Sequence, residues 1–389
     1  MEKRVLMLAT TAAMIEQFNK NNVQILNSLG YKVDVAGNFL KGNPISDEKL
    51  EDFKKWIENR GGNWYHIPST RNPLNLRANI DALKEVINLI NKWHYAFIHC
   101  HTPIGSVIGR IAANNTCTKI IYTAHGFHFY KGAPLKNWLL YYPVEKFFSR
   151  WTDVLILINK QDYNRAKLKF RAKKVVYIPG IGVDIDGLRL IKADEISKRK
   201  ELSIPKDAFV IISVGELNKN KNHKVIIDAI GKIKREMPDV ADDIHYVIVG
   251  RGGLSEFLIK RAEKLGIIGN LHLLGYRADV PEVLCCADIF ALPSRREGLS
   301  IAAIEAMAKG LPMITSNVHG ILDYSEEGVT GHLCKPSSVM QFKNAILSLK
   351  NDLEFREKCS QIVQHVSEKF DVSITNRIMR EVYEQISKC

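Results

Sequence analysis

Two periodicities alternate along the chain. Short apolar runs rich in β-branched residues, "RVLMLAT", "KVDVAG", "AFIHCH", "IIYTAH", "DVLILIN" and "KVVYIPG", predict strands in the first half. Between them lie stretches of helical spacing such as 78–93, "ANIDALKEVINLINKW". The alternation restarts after residue 200, where "FVIISVG", "IHYVIVG", "LHLLG", "IFALPS" and "PMITS" predict strands and "HKVIIDAIGKIKRE" a helix. Alternating strand and helix implies parallel strands covered by helices on both faces. The pattern therefore predicts an α/β protein of two Rossmann-like, doubly wound parallel-sheet domains. The Gly/Pro-containing "IPGIGVDIDG" at 178–187 is the expected boundary. It divides the chain into 1–182 and 183–370, with a C-terminal helix at about 371–389 expected to pack back on the first domain. Ligands of open parallel sheets bind outside the carboxyl ends of the strands, so the chemistry is expected in the loops there, facing an interdomain cleft.

Composition narrows the class. The chain has 389 residues, 46% of them hydrophobic and 25% charged, enough for two ordinary cores. No apolar run approaches the roughly 20 residues of a spanning helix. The opening "MEKRVLMLATTAAM" passes into the polar "EQFNKNN" without a cleavage region, so a cytoplasmic protein is expected. The cysteines, seven in number, fit no ligand spacing and predict reduced, mostly buried thiols. The net charge of +13 is unevenly placed: residues 1–190 hold 27 basic and 15 acidic side chains, whereas 191–389 hold 28 and 27. Such asymmetry points the first half toward an anionic partner, a membrane surface or a phosphate-bearing substrate. Aromatic residues do not interleave with the basic ones and no nucleic-acid motif is present, so nucleic acid is not expected as a partner.

The loops at the predicted strand ends carry the candidate chemistry: "SVG" runs into "ELNKNKNH", "IVG" into "RGG", "LLG" into "YRAD" and "ALPS" into "RREGLS". A dinucleotide fingerprint is absent. The loop after the opening strand, "ATTAAMIEQ", has no glycine, and "GRGGLS" at 250–255 lacks the third glycine and follows a late strand. In "REGLSIAAIEAMAKGLP", residues 296–312, a helix is expected from Leu299 or Ser300 to Gly310, with Pro312 beyond. The amides of Gly298, Leu299, Ser300 and Ile301 would then form an anion site at the positive end of the helix dipole, suited to a diphosphate. Glu297 would precede that site and Glu305 follow it, each able to accept from a hydroxyl of a nucleotide sugar. A solvated loop glutamate and a surface helix glutamate are the plain alternative.

The run "ADIFALPSRREGLSIAAIEAMAKGLPMITS" resembles the signature of the retaining glycosyltransferases of family 4, which have the two-domain GT-B fold. "HCHTPIGSVIGRIAA", "TAHGFHFYKGAP", "GVDIDGL", "VGELNKNKN" and "GYRADVPEVLCCADIF" appear in the family's order, and the chain looks closest to the bacterial branch that builds capsular or exopolysaccharide units. The resemblance implies that Glu297 binds donor-sugar hydroxyls, Glu305 the ribose, and the amides of Gly298 to Ile301 the diphosphate. It matches Gly215 and Lys221 to the family's phosphate loop, with Lys221 neutralising the leaving phosphate, and His125 of "TAHG" to a histidine near the transferred sugar. The family's loop arginine is Glu216 here, so Asn218, Lys219 or Arg251 would substitute; Arg277 of "GYRAD" joins the donor-binding set. His99 and His101 are equally ligands or core residues. "DID" at 184–186 imitates a metal-binding motif but falls in the interdomain turn, so neither metal nor other cofactor is expected. No paired carboxylate is left as nucleophile, which favours a front-face route in which the leaving diphosphate takes the acceptor proton.

The implied activity is transfer of a sugar, by family-level expectation a UDP-linked hexose or N-acetylhexosamine, to a polyprenyl-diphosphate-linked or soluble glycan acceptor. A sugar-nucleotide epimerase and a non-catalytic sugar-nucleotide sensor are the alternatives. Peripheral association with an anionic membrane, at the inner face of the plasma membrane, is expected from "LKNWLLYYPVEKFFSRW" at 135–151, through Trp138, Tyr141, Tyr142, Phe147, Phe148 and Trp151 with Lys136, Lys146 and Arg150; a helix packed on the first domain's sheet is the alternative for much of that stretch. Lys160, Arg165, Lys167, Lys169, Arg171, Lys173 and Lys174 extend that basic surface.

Overall fold

A computed structural model describes residues 3–388. The chain splits into two compact units, Met1–Gly182 with Ser373–Cys389, and Val183–Val372. Among the described residues the first unit holds a seven-stranded sheet of β1 (Arg4–Thr11), β2 (Lys32–Asn38), β3 (Trp64–His66), β4 (Phe97–His101), β5 (Lys119–Ala124), β6 (Val154–Leu157) and β7 (Lys174–Tyr177). Their order is β3-β2-β1-β4-β5-β6-β7 and every pair is parallel. The second unit holds β8 (Phe209–Val214), β9 (Ile244–Val249), β10 (Leu271–Gly275), β11 (Ile289–Leu292), β12 (Met313–Ser316) and β13 (Gly331–Cys334), in the order β10-β9-β8-β11-β12-β13 and again all parallel. In both sheets the order reverses beside the first strand of the unit, the switch point at which loops diverge and leave room for a ligand.

Continuous apolar runs, rather than alternating ones, mark the central strands because helices cover both faces. β1 and β9 are buried along almost their whole length. Two clusters sandwich the second sheet, one built on Ile212, Phe290 and Met307, the other on Ile211, Ile230 and Phe342. β3 and β13 escape the sequence pattern: each is a short edge strand, "WYH" and "GHLC", whose paired neighbour rather than its own apolar run makes it a strand.

The last helix, Val372–Lys388, belongs mostly to the first unit. Buried Tyr383 stacks on Phe97 with centroids 5.9 Å apart, and Lys119 Nζ donates to the Ile386 carbonyl at 3.0 Å.

The 135–151 stretch forms a helix, Leu135–Phe148, followed by a short 3-10 turn. For most of its aromatic residues the packed-helix alternative holds, and their expected place at a headgroup interface is corrected. Trp138, Tyr141 and Tyr142 are partly buried against the core of the first unit, because the helix must cover Phe129 and its neighbours. Phe148 and Trp151 turn toward each other, with Arg110 over the Phe148 ring. The outward residues are Leu135, Leu139, Leu140, Val144 and Phe147, of which only Phe147 belonged to the expected set; Leu135, Leu139 and Leu140 are 73%, 69% and 64% exposed. Arg165 is likewise no free surface cation: it donates to the Phe129 carbonyl at 3.0 Å and lies over Trp138.

Candidate active site

In the second unit, the loops after β8, β9 and β11 build one polar constellation. The Gly215 N–H donates to the Val249 carbonyl at 2.8 Å and the Leu217 N–H to the Arg251 carbonyl at 3.0 Å, which stitches the first two loops together. Gly250 must be glycine here, since a Cβ would stand 2.0 Å from the Gly215 carbonyl oxygen. Asn218 Oδ1 accepts the Lys221 N–H at 2.9 Å and folds the loop back, so that the Lys221 stem lies against Gly215. The Arg295 N–H donates to the Asn220 carbonyl at 2.8 Å, while Asn220 Nδ2 donates to the Arg296 carbonyl at 2.9 Å, joining this loop to the one after β11.

That junction sets Lys221 Nζ 2.7 Å from the Glu297 carboxylate, both side chains being largely shielded. Ser294 donates to the same carboxylate oxygen at 3.2 Å, and the Glu297 carbonyl accepts the Gly320 N–H at 3.1 Å. A helix follows over Ile301–Ala308, its cap Ser300 accepting the Ala303 N–H at 3.3 Å. The N–H groups of Gly298, Leu299 and Ile301 find no acceptor among the described residues. An ion pair thus stands beside open backbone donors at a helix start, an arrangement that binds anions. The apolar run "IAAIEAMA" explains the helix: Ala303, Ile304, Ala306 and Met307 are buried, and Gly310, at φ +80°, ends it where a Cβ would lie 2.8 Å from Gln364 Nε2.

Glu305 sits in the second turn, and burial raises its pKa. Arg251 is exposed, with its guanidinium 5.9 Å from the centre of the Tyr276 ring. Asn218 and Lys219 line a neighbouring cavity with His223, Phe257 and Arg295. Arg277 does not join the constellation: its guanidinium is taken by Asp279 at 2.5 Å and Glu201 at 2.6 Å, in a cluster that also holds Lys198. Asp184 of "DID" caps the helix Ile185–Leu190 by accepting the Gly187 N–H at 2.9 Å. Tyr324 went unnoticed in the sequence. Its buried hydroxyl has no side-chain partner among the described residues, and burial, then the charge of Glu297, hold it protonated. No motif marks it, because an isolated tyrosine becomes informative only when its neighbours are known.

In the first unit, three histidines gather at the ends of β4 and β5. His99 is fully buried, with Nδ1 2.9 Å from the Tyr383 hydroxyl and Nε2 2.8 Å from Thr123 Oγ1; burial pushes its pKa down to about 3. It is a core residue. His101 packs beside it, ring centroids 4.2 Å apart, and its Nδ1 lies 3.2 Å from His125 Nε2. Burial lowers His101 well below the ordinary range and His125 to about 4, so both rings are neutral. One must donate to the other. His101 Nε2 is buried without a partner among the described residues, and a bare lone pair there is less costly than an orphaned N–H. The proton of His101 therefore sits on Nδ1 and is donated to His125, whose own proton is on Nδ1, where no described residue accepts it. Thr102, immediately after His101, has φ +66°, an unusual value for a β-branched residue; its hydroxyl is tied to Thr10 Oγ1 at 2.7 Å.

A family model described as Glycosyl transferases group 1 matches residues 194–366, and one described as Glycosyltransferase Family 4 matches residues 15–186. Over 388 residues the chain is 33% identical to EpsD of Bacillus subtilis (strain 168), provisionally assigned as a glycosyltransferase, covering 98% of this chain and 97% of that one. It is 28% identical over 292 residues to the UDP-Gal:alpha-D-GlcNAc-diphosphoundecaprenol alpha-1,3-galactosyltransferase of Escherichia coli, 74% of this chain and 75% of the relative. The crystal structure of Anabaena Alr3699/HepE in complex with UDP and glucose matches with a TM-score of 0.77 at 20% identity, covering 98% of this chain and 100% of that one. WaaG, a glycosyltransferase involved in lipopolysaccharide biosynthesis, matches with a TM-score of 0.71 at 15% identity, over 97% and 99% of the two chains. Fold and relatives together define the class, a GT-B glycosyltransferase. The chain belongs to glycosyltransferase family 4.

Proposed function

We propose that the protein transfers a sugar from a UDP-sugar to a glycan acceptor, retaining the anomeric configuration and needing no metal, in the assembly of a bacterial surface polysaccharide. The observation that carries this reading is the Lys221–Glu297 pair beside the open amides of Gly298, Leu299 and Ile301. A diphosphate on those amides takes Lys221 as counterion. Glu297 is then released to accept sugar hydroxyls, and Glu305 accepts from the ribose. Negative charge grows on the leaving diphosphate as the glycosidic bond breaks; Lys221 and the helix start stabilise it without rearranging. The same oxygens take the acceptor proton on the face that the diphosphate leaves. His125 offers its Nδ1–H to a sugar hydroxyl. The solved relative with bound UDP and glucose, and the relative named for a UDP-sugar donor and a lipid-diphosphate acceptor, support this choice of substrates.

The acceptor is taken at an anionic membrane. No described helix is long and apolar enough to cross a membrane. The Leu135–Phe148 helix, however, is apolar on both sides: its inner side meets the core, and Leu135, Leu139, Leu140, Val144 and Phe147 face outward among the exposed Lys136, Lys146 and Arg150. A helix apolar all round belongs under cover, and the basic residues suit an anionic one at the inner face of the plasma membrane.

Incubation with a panel of UDP-sugars tests the reaction. UDP should appear only when acceptor is present, the product should be α-linked from an α-linked donor, and EDTA should leave the rate nearly unchanged. Glu305→Ala should weaken UDP binding by about 1–3 kcal/mol, while Glu297→Ala should lower turnover more than UDP affinity. Isomerised donor without transfer would make the protein an epimerase; UDP binding without turnover would make it a sensor.

A further inference from the structure

The helix Leu135–Phe148 meets the first unit along one stripe of polar side chains, Asn137, Tyr141 and Glu145, spaced four residues apart. Positions four apart stack on one face of a helix. Each of the three is engaged. Asn137 Nδ2 donates to the His128 carbonyl at 2.9 Å. The Tyr141 ring stacks on the His128 imidazole, centroids 4.5 Å apart and planes 28° from parallel. Glu145 is buried, and accepts the Tyr122 hydroxyl at 3.1 Å on one oxygen and Arg110 Nη2 at 3.0 Å on the other.

Tyr122 lies three residues before His125 and His128 three residues after it. One helix therefore holds the chain on both sides of His125. The near side is a strand: Tyr122 belongs to β5, and burial, then the charge of Glu145, keep its hydroxyl protonated and donating. Buried Arg110 also donates to the Ser106 carbonyl at 3.0 Å, so the same carboxylate ties in the helix Pro103–Thr116, which starts just after His101 and Thr102.

The far side has joints. Gly126, at φ +108°, and Gly132, at φ +93°, bracket residues 127–131 in backbone conformations that favour glycine. Between them the helix Lys160–Lys169 fixes alternate residues: Asp162 accepts the Phe127 N–H at 2.8 Å, Arg165 donates to the Phe129 carbonyl at 3.0 Å, and Gln161 accepts the Lys131 N–H at 2.9 Å. His128 is held from the other helix, by Asn137 and Tyr141. It stands two residues past the Gly126 joint, so its place sets the direction in which the chain leaves His125.

We propose that the stripe Asn137–Tyr141–Glu145 aims His125, with Asn137 and Tyr141 as positioning residues that act through His128 and Glu145 as one that acts through Tyr122. The proposal rests on the transferase reading of His125 and adds the residues that orient it. Displacing a ring that meets the transferred sugar costs turnover rather than nucleotide binding.

The test uses the full chain with Asn137→Ala, Tyr141→Ala, the double variant and Tyr141→Phe. Glu145 is left in place, since its loss would strand Arg110 as a buried charge. Histidine ¹⁵N spectra are recorded from pH 5 to pH 8, with the His125 signals assigned by their loss in His125→Asn; UDP affinity is measured by calorimetry, and kcat with the UDP-sugar accepted in the panel above. His125 of the natural sequence should stay neutral across that range. In the double variant it should take up a proton within it, because a loosened ring regains the solvation that burial removes, while His99 in the core stays neutral. The double variant should also lose about tenfold in kcat with UDP affinity unchanged. Tyr141→Phe, which keeps the stack, should recover most of what Tyr141→Ala loses. An unchanged His125 signal and kcat in the double variant, an equal loss in Tyr141→Phe, or a matching fall in UDP affinity would overturn the proposal. Failure of UDP to bind the natural sequence, with the His125 signal still dependent on Tyr141, would remove the donor reading and leave the positioning standing.

Discussion

At the scale of single residues, chemistry follows from which groups are left without partners. Lys221 and Glu297 were singled out separately by their motifs, one for phosphate and one for sugar; only the fold brings them into contact at 2.7 Å. Arg277 shows the converse, since "GYRAD" identifies its position while Asp279 and Glu201 decide its use. His101 is the residue at this scale whose role can be measured. If its Nδ1–H fixes the tautomer of His125, His101→Ala should lower kcat by roughly tenfold, the size of one misplaced hydrogen bond, with UDP affinity unchanged. His101→Asn, which keeps a donor, should recover part of the loss. Equal kcat in the alanine variant would show that His125 finds its tautomer unaided.

At the scale of elements, legibility tracked burial on two faces. β1, β8 and β9 lie inside their sheets and had to be apolar throughout, so their runs were plain in the sequence. β3 and β13 sit at sheet edges and needed only a few pairing residues. The Leu135–Phe148 helix was legible as apolar and aromatic, but not which side faced solvent, because both sides are apolar and periodicity cannot choose between them. The structure chooses the leucine side. Leu139→Glu with Leu140→Glu should abolish binding to phosphatidylglycerol vesicles at low salt while leaving the melting temperature within a few degrees, since both positions are exposed. Vesicle binding as strong as that of the natural sequence would place the membrane contact elsewhere.

At the scale of the whole molecule, buried histidines couple stability to pH. His99, His125, His223 and His272 are held, mainly by burial, at about 3, 4, 4 and 4, below the ordinary 6.5. The unfolded chain therefore binds more protons between these values and 6.5, and stability falls as pH drops through that window. For a fully buried, neutral ring such as His99 the loss at pH 5 is roughly 2 kcal/mol. The melting temperature should accordingly fall steadily from pH 7 to pH 5; a flat profile would mean that the rings titrate normally in the folded protein. The sequence by itself determined the two parallel sheets, the placing of Lys221 and Glu297 in loops at strand ends and the basic character of the first half, because each is carried by local pattern or by a sum over residues. What only the tertiary structure decided is which cations are paired and with what: Lys221 with Glu297, Arg165 with the Phe129 carbonyl and Asp162, Arg277 with Asp279 and Glu201. Pairing depends on groups brought together from distant parts of the chain, as when Arg277 meets Glu201, and no local pattern contains that distance.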